Sequence, residues 1–216
     1  MTNLKSLINN QFTDKHKGHC FCELYDILFE PIKTTATNIM EIGIDKGGSI
    51  LLWSQYFTNP TANIYALDCS SRFCMNVDVF NDIVIDNRVK IIDLVDAYLL
   101  STMYLLDNNK FDVMVDDGPH TFESNKLFLL FYSHLISKNG ILVIEDIQDY
   151  SYVYQLFEHV PEALKQYVEV YDMRDCNNQY DDILFVINKS GIIPTKAYDG
   201  YLTRTVDSFT IYKWTQ

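Results

Sequence analysis

Short apolar runs alternate with longer amphipathic segments along most of the chain. Such runs predict strands when they are rich in β-branched residues, whereas apolar residues at a spacing of three or four predict helices. The predicted strands are Asn38–Gly43, Asn63–Leu67, Val89–Ile92, Asp112–Val115, Ile141–Glu145, Val168–Tyr171 and Ile183–Ile187. The predicted helices are Phe21–Ile32, Ser49–Tyr56, Ser71–Phe80, Ala97–Leu106, Phe122–Ile136 and Tyr152–Glu158.

This alternation predicts an α/β fold, a Rossmann-like sheet of seven mostly parallel strands with helices on both faces. The segment between Tyr171 and Ile183 is too short for a helical crossover, so the last strand is expected to be antiparallel. One domain is expected over residues 1–216, with residues 1–36 as an N-terminal cap or flap and residues 190–216 as a C-terminal extension.

Two further segments, a short polar stretch and the C-terminal tail, each predict a local structure. Ser137–Gly140 combines small, polar and glycine residues and predicts a turn between a helix and the fifth strand. The tail from Ile192 to Gln216 is rich in aromatic and β-branched residues, and we expect it to form an edge strand, a lid or an oligomer contact.

Composition narrows the classes of partner. The 216 residues include 17 Lys+Arg and 29 Asp+Glu, for a formal net charge of -12, whereas a nucleic-acid backbone requires a cationic surface. No window has the roughly 18 apolar residues of a membrane span, and residues 1–20 lack the apolar core of a signal peptide. The five cysteines are an odd number in a chain that is not small, so we expect reduced cysteines in a cytoplasmic protein.

The first predicted strand leads into a glycine turn and a helix start. Gly43 would let the chain turn sharply, and Gly47 would let the backbone approach a ligand, with Ser49 placed to cap the helix. Free N–H groups at a helix start favour an anionic group. The spacing differs from the dinucleotide-binding G-x-G-x-x-G fingerprint, and a purely structural turn stays open as the alternative.

Acidic residues follow the next two strands. Asp68 is placed to accept hydrogen bonds from the ribose hydroxyls of a nucleoside cofactor. Asp93 is a weaker candidate for lining an adenine pocket. A solvated acid at a strand end is the alternative for both residues.

Carboxylates also follow the fourth and fifth predicted strands. Asp116 and Asp117 precede His120 in one turn, and Glu145 and Asp146 end the other strand. Because the carboxyl ends of parallel strands meet at one edge of a sheet, we expect these side chains to lie together. Carboxylates beside an imidazole are typical of an oxygen-ligand metal site with a general base. The chain is therefore expected to be an enzyme.

Taken in order, these motifs resemble the class I S-adenosylmethionine-dependent methyltransferases. The resemblance is closest to the metal-dependent sugar O-methyltransferases of the macrolide (mycinamicin and macrocin) and novobiocin type. It extends over most of the chain and includes Thr13-Asp14-Lys15 with Tyr25, Glu41-Ile42-Gly43, Gly47-Gly48-Ser49 with Trp53, Asp68, Asp116–His120 and Ile144-Glu145-Asp146.

The resemblance implies the cofactor S-adenosylmethionine, a divalent cation such as Mg²⁺, and a sugar hydroxyl as acceptor. His120 would be the general base, and the metal ligands would be Asp117, Glu145 and Asp146. The implied cofactor-binding residues are Glu41, Gly43, Gly47, Ser49, Asp68, Asp93 and Asp116. Asp116 has an alternative role in satisfying local backbone donors. Neither a nucleic acid nor a membrane is expected as partner, and the apolar tail is compatible with a homo-oligomer.

Several alternatives stay open. A catechol-type O-methyltransferase also pairs Mg²⁺ with acidic residues, and a scaffold could retain the fold without turnover, although a scaffold has no need of clustered acids. Pro119 replaces the usual serine of the family turn, which removes a backbone donor and a hydroxyl. His16 and His19 could reach the site as part of a flap, but exposed loop histidines are the expectation.

Overall fold

The computed structural model describes residues 3–192, 201–206 and 209–214. Within these residues, one nine-stranded sheet has the order β3-β2-β1-β4-β5-β7-β6-β9-β8. The strands are β1 Asn38–Ile42, β2 Asn63–Leu67, β3 Val89–Ile92, β4 Phe111–Asp116, β5 Ile136–Ile144, β6 Val168–Asp172, β7 Ile183–Asn188, β8 Tyr201–Val206 and β9 Phe209–Trp214. The seven predicted strands are all present, within a few residues at each end.

Strand direction follows the prediction. The first five strands are mutually parallel, and β7 runs antiparallel to both β5 and β6. The tail provides an edge, because β9 pairs in parallel with β6 and forms an antiparallel hairpin with β8. Of the three roles expected for the tail, its described residues show the edge strand.

Helices cover both faces of the sheet. Successive strand residues face opposite layers, so Ile39 packs in one core with Leu24 and Trp53, whereas Met40 packs in a second core with Phe128 and Leu156. The α-helices are α1 Leu4–Leu7, α2 Phe21–Phe29, α3 Gly48–Tyr56, α4 Val77–Val84, α5 Leu100–Tyr104, α6 Phe122–Tyr132, α7 Tyr150–His159, α8 Glu162–Lys165 and α9 Arg174–Asn177. Short 3₁₀ turns are Glu30–Ile32, Arg72–Cys74 and Ser133–Leu135. No helix in the described ranges has the length and apolar character needed to cross a bilayer.

The expected turn at Ser137–Gly140 is a bulge inside a strand. The pairing of β4 with β5 jumps from Phe111↔Ile136 to Val113↔Ile141, which leaves the four intervening residues looped out. The Ser137 hydroxyl donates to Asp112 across the bulge at 2.8 Å. The composition of these four residues therefore correctly predicted an irregular segment. It is a bulge because β5 pairs with β4 on both sides of it.

The expectation of five reduced cysteines is wrong for one pair. Cys20, just before α2, forms a disulfide with Cys176 in α9, with 6.4 Å between their Cα atoms. The remaining cysteines, Cys22, Cys69 and Cys74, are free. The two partners are 156 residues apart in sequence, so only the fold shows that they meet.

Candidate functional site

A cavity of about 660 Å³ opens at the carboxyl ends of β1, β2 and β4. This volume falls within the range of small-molecule and cofactor sites. Predicted residues that line it are Gly43, Ser49, Asp68, Asp117 and His120. The wall also includes Phe12, Thr13, Asp14, Ile42, Ile44, Asp45, Cys69, Val95, Asp96, Ala97, Tyr98, Gly118 and Pro119.

The glycine turn after β1 forms one wall of this cavity. Gly43 has a φ of 94°, and a Cβ on it would overlap the carbonyl oxygen of Asp117. Only glycine therefore lets the ends of β1 and β4 lie this close. Gly47 precedes α3 with a left-handed φ of 87°, and Ser49 is the second helical residue. The expectation that Ser49 caps α3 is wrong, because the cap position belongs to Gly47.

Asp68 connects two loops of the cavity. Its Oδ2 accepts the backbone N–H of Ile44 at 2.7 Å, and its Oδ1 accepts that of Ser70 at 2.6 Å. The side chain is thus fixed by the turn after β1 and by the loop after β2. Each carboxylate oxygen accepts more than one hydrogen bond, so Asp68 retains acceptor capacity toward the cavity.

Four of the residues expected to bind the cofactor make other contacts and are not among the residues lining the cavity. Gly47 packs against Met75, where a Cβ would overlap the methionine methyl group. Asp93 accepts the backbone N–H of Arg72 at 2.9 Å. Glu41 accepts the Trp53 indole N–H at 2.9 Å and is buried.

Asp116 is the fourth of these residues. It is buried and accepts the Tyr98 hydroxyl at 2.5 Å and the Asn125 amide at 3.4 Å. Burial raises the pKa of the Asp116 carboxyl to about 7, against the hydrogen bonds from Tyr98 and Asn125. Because Tyr98 itself lines the cavity, Asp116 acts on the cavity by holding that tyrosine.

Asp117, His120 and Asp146 form one group whose ligand atoms lie within 4.8 Å of one another. His120 Nε2 is 3.7 Å from Asp117 Oδ1 and 3.8 Å from Asp146 Oδ2. Thr121 begins α6 with a capping box that includes Ser124, which fixes the turn carrying His120. The strand ends and this cap therefore bring the three predicted residues together.

Burial favours the uncharged forms of two members of this group, His120 and Asp146. Burial lowers the pKa of His120, opposed by the charge of Asp117, so its imidazole is neutral at neutral pH. Burial raises the pKa of Asp146 to about 7, opposed by the nearby His19. Asp146 Oδ1 is buried and makes no hydrogen bond. A divalent cation would supply the missing partner, so the donor set fits an ion that prefers oxygen ligands.

Glu145 is not a member of this group. Its Oε2 accepts Lys15 at 2.5 Å, and its Oε1 accepts the hydroxyl of Tyr25. Lys15 also lies 2.8 Å from Asp117 Oδ2 and 3.2 Å from Glu41 Oε1. The third residue expected to bind metal thus contacts the leader, defined as residues 13–20, and α2.

A second group consists of His19, Asp146 and Asp182. His19 Nδ1 pairs with Asp182 and lies 3.5 Å from Asp146 Oδ1, while its Nε2 is 3.6 Å from Asp14. Burial disfavours the charged imidazole, but the hydrogen bonds with Asp14 and Asp182 outweigh it and raise the pKa of His19 to about 11. The expectation of an exposed loop histidine is wrong for His19, because the leader folds over the strand ends.

Neither Lys15 nor Asp182 was among the predicted site residues, and His19 was raised only as the less favoured flap alternative. The usable signal was the Thr13-Asp14-Lys15 motif, which the resemblance included without a role. A lysine or histidine in a polar leader is ordinarily solvated, and nothing local indicates that these two are covered. Their burial depends on the whole fold.

Comparisons with known proteins agree with this architecture. A family model described as a methyltransferase domain matches residues 40–147, half of the chain. The 8-demethyl-8-α-L-rhamnosyl tetracenomycin-C 2'-O-methyltransferase of Streptomyces olivaceus is 23% identical over 145 residues. The match covers 63% of this chain and 35% of that protein, so the chain spans about a third of that relative's length.

Solved structures share the fold. MycE, a methyltransferase from the mycinamycin biosynthetic pathway in complex with Mg and SAH, has a TM-score of 0.63 at 19% identity, covering 87% of this chain and 54% of that one. An O-methyltransferase from Bacillus cereus in complex with SAH has a TM-score of 0.55 at 14% identity, covering 77% and 81%. With half of its length matched by the family model, the chain belongs to the methyltransferase domain family.

Proposed function

We propose that the protein is an S-adenosylmethionine-dependent O-methyltransferase that uses a divalent cation and methylates a sugar hydroxyl. One observation carries the proposal. Gly43, Ser49 and Asp68, expected to hold the cofactor, line the same cavity as Asp117, expected to bind the metal, and His120, expected to be the general base. A methyl donor bound by the first set would therefore face an acceptor bound by the second.

The cofactor half of the cavity is built for a nucleoside. Asp68 is held at the end of β2 by two backbone N–H groups and would accept the ribose hydroxyls. When bound, S-adenosylmethionine supplies an electrophilic methyl group on a positively charged sulfur. The acidic wall, which includes Asp45, Asp68 and Asp96, favours a cationic ligand over an anionic one.

The other half would hold the cation and the acceptor. Asp117 and Asp146 offer carboxylate oxygens beside His120, whereas Glu145, the third ligand implied by the resemblance, is paired with Lys15 and Tyr25. When bound, a Mg²⁺ ion would lower the pKa of an acceptor hydroxyl and fix its orientation. His120 Nε2 would accept the hydroxyl proton, since its imidazole is neutral and faces both carboxylates.

A sugar acceptor is supported by two relatives. The Streptomyces olivaceus relative is named as a 2'-O-methyltransferase of a rhamnosyl tetracenomycin. A MycE complex with Mg, SAH and mycinamycin VI has a TM-score of 0.56 at 24% identity, over 67% of this chain and 37% of that one. Vicinal hydroxyls of a sugar would chelate a cation in the geometry that positions one of them for transfer.

The test is methyl transfer from labelled S-adenosylmethionine to a panel of rhamnosides, nucleotide sugars and catechols, with Mg²⁺ or with EDTA. We expect transfer to a sugar that EDTA abolishes and Mg²⁺ restores. The His120→Gln variant should lose transfer by about 100-fold or more while it binds S-adenosylhomocysteine normally in calorimetry. His134→Gln is the matched control, because His134 is 48% exposed and outside the cavity.

Three results would contradict the proposal. Transfer restricted to catechols would reassign the acceptor, and transfer unaffected by EDTA would remove the cation. Failure to bind S-adenosylhomocysteine at millimolar concentration would mean that the protein has the methyltransferase fold but lacks the proposed activity.

A further inference from the structure

Lys15 is a buried cation among the carboxylates at the strand ends. Its side chain is 1% exposed, and its Nζ lies 3.2 Å from Glu41 Oε1, 2.8 Å from Asp117 Oδ2 and 2.5 Å from Glu145 Oε2. Glu41 lies within β1, and Asp117 and Glu145 directly follow β4 and β5, so one ammonium connects three neighbouring strands. Burying an ammonium is costly unless it is paired, which is why the surrounding acids matter.

The leader and α2 together occupy both oxygens of Glu145. Lys15 takes Oε2, and Tyr25 of α2 donates its hydroxyl to Oε1. The leader backbone is itself fixed, since the carbonyl of Lys15 accepts Cys22 N–H at 3.1 Å and that of Asp14 accepts Gly18 N–H at 2.9 Å. Glu145 is therefore held by groups whose positions are set independently of the cavity.

Asp117 links Lys15 to the proposed cation site. Its Oδ2 binds Lys15 while its Oδ1 lies 3.7 Å from His120 Nε2. A cation bound at one oxygen of this carboxylate weakens the affinity of the other oxygen for a second cation. The ammonium and the divalent cation are consequently coupled through Asp117 and Glu145, and such coupling is reciprocal.

We propose that Lys15 is a positioning residue that competes with the divalent cation for Glu145 and thereby sets the affinity of the cation site. The inference rests on the proposed function. With the ammonium in place, Asp117 presents one oxygen to His120 and Glu145 is withheld. Removal of the ammonium frees Glu145 to become the third oxygen ligand beside Asp117 and Asp146.

A double-mutant cycle separates competition from simple charge repulsion. Mn²⁺ affinity is measured by calorimetry and electron paramagnetic resonance for the unaltered protein, Lys15→Gln, Glu145→Gln and the double variant. We expect Lys15→Gln to tighten Mn²⁺ binding by about tenfold or more, because Oε2 of Glu145 is released to become a ligand of the ion. In the Glu145→Gln background the same change should tighten binding by less than about threefold, since the ligand it releases is absent.

A second variant keeps the test decisive if Lys15→Gln fails to fold. Tyr25→Phe removes only the hydroxyl that holds Glu145 Oε1, and it should tighten Mn²⁺ binding by about threefold or more. That gain should vanish in the Glu145→Gln background.

Two control variants complete the series. Lys15→Arg keeps the positive charge and should bind Mn²⁺ as weakly as the unaltered protein. Lys90→Gln, at an exposed position of β3, is the matched control and should leave Mn²⁺ affinity unchanged.

The outcomes distinguish this inference from the proposed function. If the unaltered protein binds Mn²⁺ and neither Lys15→Gln nor Tyr25→Phe binds it more tightly, Lys15 is only a structural ion pair and the inference is overturned, while the cation site stands. Equal tightening by Lys15→Gln with and without Glu145 would also overturn it, in favour of repulsion alone. If no protein in the series binds Mn²⁺, the cation site and the inference fall together. Thermal unfolding of each variant confirms that folded protein is compared.

Discussion

His120 and Asp146 hold their backbones in the left-handed region, with φ angles of 54° and 53°. This conformation costs a residue with a Cβ about 1–2 kcal/mol. Strain of this kind persists where the surrounding structure imposes it, and it is concentrated at functional sites. Both residues belong to the group proposed to bind the cation, so the strained backbone lies where the positions of the ligand atoms need to be fixed.

The lowered pKa of His120 sets a pH dependence. Because burial disfavours the imidazolium, the base stays neutral to a lower pH than an ordinary histidine. At saturating Mg²⁺, which would hold Asp146 as the carboxylate, we expect kcat/KM to fall in acid with a midpoint below the ordinary histidine value of 6.5. Methyl transfer measured across buffers from acid to neutral pH checks this. An acidic limb of the same midpoint in the residual activity of His120→Gln would assign the titration to another group.

Gly43 offers a test of the close approach of β1 and β4. Gly43→Ala should be destabilised by about 1–3 kcal/mol beyond the cost of its positive φ, because the new Cβ overlaps the Asp117 carbonyl. Gly191→Ala is the matched control, since Gly191 also has a positive φ but nothing within 4 Å of a Cβ. Urea unfolding of both variants gives the difference. Equal losses of stability would show that the strand ends separate without cost.

At the scale of elements, strands were predictable and helix limits were less so. Strand residues such as Val113 and Ile141 lie in apolar runs whose length alone indicates a buried strand. The helix predicted at Ser71–Phe80 is instead the 3₁₀ turn Arg72–Cys74 followed by α4, because Asn76 accepts the N–H groups of Asp78 and Val79 and starts a new helix.

The helix predicted at Ala97–Leu106 is also shorter than expected. The first residues of the predicted helix make tertiary contacts instead, since the Ala97 carbonyl accepts the Tyr132 hydroxyl at 2.6 Å and Tyr98 binds Asp116.

The difference between local patterns and tertiary contacts also explains which site residues could be predicted. Acids that follow strands are placed by the sheet, whereas Lys15 and His19 are placed by contacts that no local pattern encodes.

The disulfide predicts a redox-dependent stability for the leader. The Cys20–Cys176 bond joins the leader to α9 across 156 residues, and its loss should cost about 2–5 kcal/mol. We expect thiol reductant to lower the melting temperature of the oxidised protein but not that of Cys176→Ser. Peptide mapping without reductant should recover the Cys20–Cys176 crosslink. Recovery of two free thiols from protein purified in air would contradict the bond.

For the whole molecule, the sheet extends beyond the seven strands predicted from the pattern. The edge beyond β6 is covered by β9, and Tyr212 is buried and stacked on Tyr171 with 4.8 Å between ring centroids. Without β9, the backbone groups of β6 on that side would have no strand partner, and an unpaired edge invites association between molecules. The tail therefore completes the sheet as well as lengthening it.

Tyr212 tests whether this edge contributes to global stability. Tyr212→Ala should lower the free energy of unfolding by about 3 kcal/mol, as expected for removal of a buried aromatic ring. Tyr180→Ala is the control, because Tyr180 is 66% exposed and should change stability by less than about 0.5 kcal/mol. Denaturant unfolding measures both. A Tyr212→Ala protein as stable as Tyr180→Ala would mean that the hairpin adds nothing to the folded state.

The contacts made by the leader limit how far the chain can be shortened. The segment that matches the family model, residues 40–147, contains every acid lining the cavity except Asp14, but Lys15, His19 and Asp182 all lie outside it. A fragment trimmed to that segment would keep Glu41, Asp117, Glu145 and Asp146 while discarding their cationic neighbours Lys15 and His19. Such a fragment would carry mutually repelling charges at its centre, so a shortened chain that preserves this site must include Lys15, His19 and Asp182.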